Sequence, residues 1–225
     1  MGIVISAGPA EGSIQAGAAR TFRAGLSGCT KAAPVRLLIV PGLHDSPEAH
    51  WQTELQRHHH QRAVRVQQED WAVPSLDAWA DRIGETLARE PRGPWVAVAH
   101  SFGCLALVRW LQRGGTGIES ALLVAPADPL KFGVSGDLPC APLPVATTLV
   151  ASRTDPWMPF GSSVNWSRVW GSQLVDLGDA GHINIASGFG PWPLGKKLVE
   201  RQVQAVNRRR RVEQDEGFDL ELVGS

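Results

Sequence analysis

The chain has no tyrosine, only three cysteines and no net charge, with Lys plus Arg and Asp plus Glu each numbering 22. Balanced charge gives no overall field to draw nucleic acid or an anionic membrane, so neither is expected as a partner. Cys29, Cys104 and Cys140 are odd in number and widely spaced. That fits neither a disulfide framework nor a paired zinc motif, and it points to a reducing, cytoplasmic compartment. No apolar run approaches the roughly 18 residues of a membrane span. Acid is scarce in the first 33 residues, where Glu11 stands alone, and the first base is Arg20, so the pattern of an export signal is not met.

What is present is a globular composition, 43% apolar and 20% charged over 225 residues. This is enough for one sizeable core with tails. Residues 1–33 are rich in Gly, Ala and Ser without a helical or strand period and are expected to form a disordered arm. Residues 34–207 form the body. Residues 208–225 open with four arginines and continue with acids only, which predicts a charged, solvated tail. A protein partner through either tail stays open.

Short apolar runs at Val35–Val40, Ala63–Val66, Trp95–Ala99, Ala121–Ala125, Val145–Ala151 and Gln173–Leu177 alternate with helical segments. Continuous rather than alternating apolar runs are expected of parallel strands covered on both faces. The pattern predicts an α/β fold, a mostly parallel sheet of about six strands with helices on both sides. Helices are expected over Ser75–Glu90, from Ser101, and from about Trp192 to Arg210, where Val199, Val203 and Val206 share one side.

The decisive stretch is Trp95-Val-Ala-Val-Ala99-His100-Ser101-Phe102-Gly103. Between a buried strand and an amphipathic helix, Ala99-x-Ser101-x-Gly103 is a variant of the G-x-S-x-G turn that lifts a serine hydroxyl off the carboxyl edge of a sheet. A serine is a poor nucleophile at neutral pH and needs a base held by a third group. On this fold the chain order is serine, acid, histidine. Asp155 follows the fifth apolar run and His182 the sixth, where open α/β sheets gather their sites. Asp176 and Asp179 compete with Asp155 because they stand closer to His182 in sequence. Two backbone N–H groups should hold the developing oxyanion, and the candidates are Phe102, after the serine, and Leu43, in the Pro41-Gly42-Leu43 loop after the first strand.

These residues together resemble the small serine hydrolase family of the α/β-hydrolase superfamily, the YdeN and retinoblastoma-binding serine hydrolase type. The resemblance is carried by Ile39-Val40-Pro41-Gly42-Leu43 through His50-Trp51-Gln52, by Ala99–Gly103, by Ser152-Arg153-Thr154-Asp155-Pro156-Trp157, and by Gly181-His182-Ile183-Asn184 through Gly188-Phe189-Gly190-Pro191-Trp192-Pro193. It spans about Val35 to Val206. It implies a compact α/β hydrolase without a large cap and a triad of Ser101, Asp155 and His182.

Other residues are weighed on their own chemistry. The run His58-His59-His60 reads as a helix end rather than a metal site, because three adjacent histidines cannot face one ion from a helix, and no metal or cofactor is expected. His50-Trp51 is read as structural packing. His44 stands at the pocket entrance or is simply exposed. With no tyrosine, nine tryptophans carry much of the aromatic bulk. Most are read as core, while Trp157 and Trp192 are placed as walls of a small apolar acyl or aryl pocket. Cys104 is read as a core side chain. The function expected is a carboxylesterase-like serine hydrolase of the EC 3.1.1 class acting on a small ester or thioester through an acyl-enzyme. A serine aminopeptidase or amidase, and an interaction protein that keeps the scaffold, are the alternatives.

Overall fold

The computed structural model describes the backbone of residues 33–223 and the side chains of residues 33–214. The N-terminal arm, with Cys29, lies outside the described residues. Six strands form one sheet: β1 (Arg36–Val40), β2 (Ala63–Arg65), β3 (Trp95–His100), β4 (Ile118–Val124), β5 (Ala146–Ala151) and β6 (Gln173–Asp176). Every pairing is parallel, in the order β2-β1-β3-β4-β5-β6. The chain winds outward on one side from β1 and then on the other from β3. The topological switch therefore falls between β1 and β3, the place where sheets of this kind open a crevice at their carboxyl ends.

Period-two alternation divides the strand residues between two cores. Leu38, Val40, Ala97, Ala99, Leu123 and Leu149 face one side. There they meet α2 (Leu76–Arg89), α3 (Phe102–Gln112) and partly buried residues of α4 (Phe160–Val169). Leu37, Ile39, Val96, Val98, Leu122 and Val124 face the other side, against α1 (Trp51–His58) and α5 (Pro193–Val223). All six residues of β3 are buried, which accounts for its unbroken apolar run. Among the described residues no large cap domain interrupts this arrangement.

Two elements differ from the sequence expectation. α4 lacks an apolar helical period; its Phe160, Trp166 and Val169 pack on the core from a segment otherwise rich in Gly, Ser and Asn. α5 does not stop near Arg210 but continues to Val223. Arginine and glutamate are good helix formers, and no proline interrupts that stretch. Arg209 and Arg210 also tie the helix to the domain, donating to the carbonyls of Glu119 and Ala33 at 2.8 Å each.

Candidate active site

Ser101 follows the last residue of β3 and precedes the first residue of α3, and the chain reverses there at φ 54° and ψ −127°. A non-glycine residue in that region costs roughly 1–3 kcal/mol and persists only where the surroundings over-determine it. Here the surroundings are the two flanking glycines. A Cβ on Gly42 would stand 2.6 Å from the Cβ of Ser101, and one on Gly103 would collide with the carbonyls of Pro41 and Val40. The loop after β1 can thus lie directly against the turn after β3. The Ser101 N–H donates to Val124 O at 3.1 Å, fixing the turn to the neighbouring strand.

The loops after β5 and β6 converge on the same edge. His182 Nε2 lies 2.9 Å from Ser101 Oγ, and its Nδ1 lies 2.9 and 3.0 Å from the two carboxylate oxygens of Asp155. The side chains of His182 and Asp155 are only 7% and 3% exposed, so this chain of hydrogen bonds is shielded from bulk water. Asp155 Oδ1 also accepts from the Trp157 N–H at 2.8 Å. Two side-chain hydroxyls lace the loops together: Ser152 Oγ accepts from Ala180 N, and Thr154 Oγ1 accepts from Gly181 N. Gly181 has φ +55°, and a Cβ there would run into the side chain of Ser187, whose hydroxyl accepts from His182 N at 3.0 Å.

The rival carboxylates stand elsewhere. Asp176 is bound by Arg153 at 2.6 Å and by the Gly178 N–H, and the Arg153 guanidinium holds its carboxyl below the usual range. Asp179 is exposed. The structure brings Asp155, and neither of these, to His182.

A cavity of about 310 Å³ opens in front of Ser101. Leu43, Phe132, Trp157 and Ile185 supply apolar walls, and His44, Asp45 and Asn184 supply polar ones. Of the three residues expected at the pocket, His44 and Trp157 line this cavity and Trp192 does not. It lines a separate groove of about 290 Å³ with Trp51 and Leu55. Edge-on packing against Trp51 at 5.2 Å and Phe189 at 5.8 Å buries its ring there. The backbone N–H groups of Leu43 and Phe102 belong to the two loops that meet at Ser101. Among the described residues neither is taken up by a backbone acceptor outside regular structure; Phe102, as the first residue of α3, has no partner within the helix.

Some contributors carried little sequence signal. Gln52 is fully buried; its Nε2 donates to Val40 O and Val98 O at 3.2 and 3.0 Å, and its Oε1 accepts from Ser46 Oγ at 2.6 Å. It ties α1 to the strands that carry both site loops. Phe132 and Ile185 reach the cavity from irregular loops without a motif. Glutamine in a core is uncommon, and only its place after His50-Trp51 could have drawn attention.

Two further imidazoles at this edge, His50 and His100, are kept neutral. Burial, with smaller contributions from Arg65 and His182, lowers His50 to about 4. Its Nδ1 accepts from Gln52 N and caps α1. Burial also holds His100 well below the ordinary histidine range. Cys104 is buried with its thiol pushed upward and its Sγ toward Val124 O, an unreactive setting. His58 ends α1 and His59 caps it.

The serine hydrolase family model matches residues 37–201. Among solved structures, a YdeN-like hydrolase from Pectobacterium atrosepticum is 38% identical, with a TM-score of 0.73 over 76% of this chain and 92% of that chain. The ydeN gene product of B. subtilis is 19% identical, with a TM-score of 0.62 over 75% of this chain and 98% of that one. Est1E from Butyrivibrio proteoclasticus, solved with ferulic acid bound, shares 12% identity and a TM-score of 0.58 over 77% and 90% of the two chains. No curated protein matches the chain.

Proposed function

The chain belongs to the serine hydrolase family, and we propose that it cleaves small carboxylic esters or thioesters through an acyl-enzyme formed on Ser101. The observation that carries this reading is the continuous path of hydrogen bonds near 2.9 Å from Ser101 Oγ at the cavity through the buried His182 side chain to the buried Asp155 carboxylate.

Ser101 Oγ attacks the substrate carbonyl carbon while His182 Nε2 takes the hydroxyl proton. Asp155 accepts from Nδ1–H, which selects the tautomer with a free Nε2 lone pair and stabilises the imidazolium that forms. The N–H groups of Leu43 and Phe102 receive the negative oxygen of the tetrahedral intermediate. One such donor is worth about 3–4 kcal/mol of transition-state stabilisation. As the carbon–oxygen or carbon–sulfur bond breaks, His182 returns the proton to the leaving group. Water then repeats the sequence on the acyl-enzyme, releasing acid and restoring Ser101.

The cavity supports modest substrates. At about 310 Å³ it suits a short acyl chain or a single aryl ring against Phe132 and Trp157. Asp45 is the one carboxylate among its lining residues, and it is already engaged by Arg65 at 2.8 Å and by the Ser46 N–H. An aminopeptidase needs a free acid for the substrate ammonium, so esters are favoured over amino-acyl amides. The free thiols of Cys104 and Cys140 are in keeping with a cytoplasmic setting.

A panel of aryl esters of increasing acyl length, set beside amino-acyl arylamides, tests the assignment. Turnover should peak at two to four acyl carbons, roughly what the cavity volume holds, with the arylamides at least tenfold slower. Preference for the arylamides would reverse it.

A further inference from the structure

His182 is held by more than Asp155. The next residue, Ile183, is fully buried and has φ 48°, a left-handed conformation that a β-branched side chain strongly disfavours. At this strained step the two successive carbonyls face two aromatic N–H groups. His100 Nε2 lies 3.0 Å from His182 O, and Trp51 Nε1 donates to Ile183 O at 2.9 Å.

We propose that His100 and Trp51 are positioning residues whose ring N–H groups clamp the His182 and Ile183 carbonyls and so aim the imidazole at Ser101. This rests on the reading of Ser101 and His182 given above.

The chemistry of the pair is specific. A carbonyl can only accept, so Nε2 of His100 carries the proton. Burial keeps the ring from becoming a second cation beside His182. The rings brace one another as well. The His100 ring lies 4.9 Å from that of His182 and meets Trp51 nearly at right angles at 5.9 Å.

Both donors stand on rigid supports. His100 is the last residue of β3, directly before Ser101, so one strand end fixes the serine and the carbonyl of its base together. Trp51 is the first residue of α1, which His50 caps and Gln52 bolts to Val40 O and Val98 O. Reacting groups must be held to within a fraction of an ångström, and a misplacement near 1 Å costs on the order of 10²-fold in rate.

The experiment compares His100→Phe and Trp51→Phe, which keep a ring and lose the donor, with His100→Gln, which keeps an N–H. Each phenylalanine variant should lower kcat about 10- to 100-fold while KM stays within about twofold. His100→Gln should recover most of the loss. Against a His182→Ala background, His100→Phe should change the residual rate by less than about twofold, because the clamp acts through the imidazole. The proposal is overturned by kcat within twofold of wild type in both phenylalanine variants, by equal losses in His100→Gln and His100→Phe, or by a further loss on the His182→Ala background. Should His100→Phe not fold, Trp51→Phe decides it: a kcat within about twofold of wild type overturns the proposal, and a loss of about 10- to 100-fold with KM held supports it. Ser101→Ala is run beside them: full turnover there would defeat the underlying reading, whatever the clamp variants do.

Discussion

The Cβ of Ser101 and the backbone of Gly42 approach so closely that a single added methyl at Gly42 would stand 2.6 Å from it. The nucleophile turn after β3 and the loop after β1 are thus one packed unit. Gly42→Ala should separate them, displacing the Leu43 amide. The expected result is a fall in kcat of at least about 100-fold, with a stability loss of about 1–3 kcal/mol, read by ester turnover and urea denaturation.

Strain at Ser101 gives a prediction of opposite sign for stability. At φ 54° and ψ −127° a glycine carries no Cβ penalty. Ser101→Gly should abolish turnover yet raise stability by about 1 kcal/mol. Calorimetry should register this as an increase of about 2–4 °C in Tm.

Asp155 is distinguished from its neighbours by replacement with the isosteric amide. Asp155→Asn removes the acceptor that fixes the His182 tautomer, and kcat should fall by about 10⁴-fold. Asp176→Asn and Asp179→Asn should leave kcat within about twofold, since neither touches His182.

The pH dependence of stability follows from His50. Its folded pKa of about 4 lies below the ordinary 6.5, so between those values the unfolded chain takes up a proton that the folded protein refuses. The stabilisation is complete above pH 6.5 and is lost as pH falls toward 4, about 3 kcal/mol in all. Burial of His100 acts in the same direction. Denaturant midpoints from pH 7 to 5 should fall more steeply for the wild type than for His50→Asn, which can still cap α1.

The two loop tryptophans separate by function. Trp157, 47% exposed at the cavity, should on replacement by alanine shift the acyl-length preference with little change in Tm. Trp192, buried on Trp51, should on the same replacement lower stability by about 3 kcal/mol or more.

The four inner strands were legible because a parallel sheet covered on both faces demands continuous apolar runs, the edge strands β2 and β6 only from short apolar stretches, and the Ser101 turn because a strand, small residues and a helix must coincide there. The serine, acid and histidine loops were found from chain order at strand ends. α4 was not legible: Gly161, Ser162, Ser163 and Asn165 give little local helical preference, and packing of Phe160 and Trp166 on the core supplies it. The cavity walls were only partly readable. Phe132 and Ile185 arrive through irregular loops, and Trp192 was misplaced because nothing local signals that Trp51 would draw its ring into another groove. The hydrogen bonding of His100 and Gln52 was not readable, because these buried polar groups find partners such as His182 O and Val98 O far away in the sequence.

The most direct test of the central claim is adduct mapping after treatment with a fluorophosphonate. The account predicts one covalent adduct per folded chain, on the peptide containing Ser101, formed slowly or not at all in His182→Ala. A folded wild-type protein that takes no adduct, or takes it on another residue with Ser101 untouched, would contradict it.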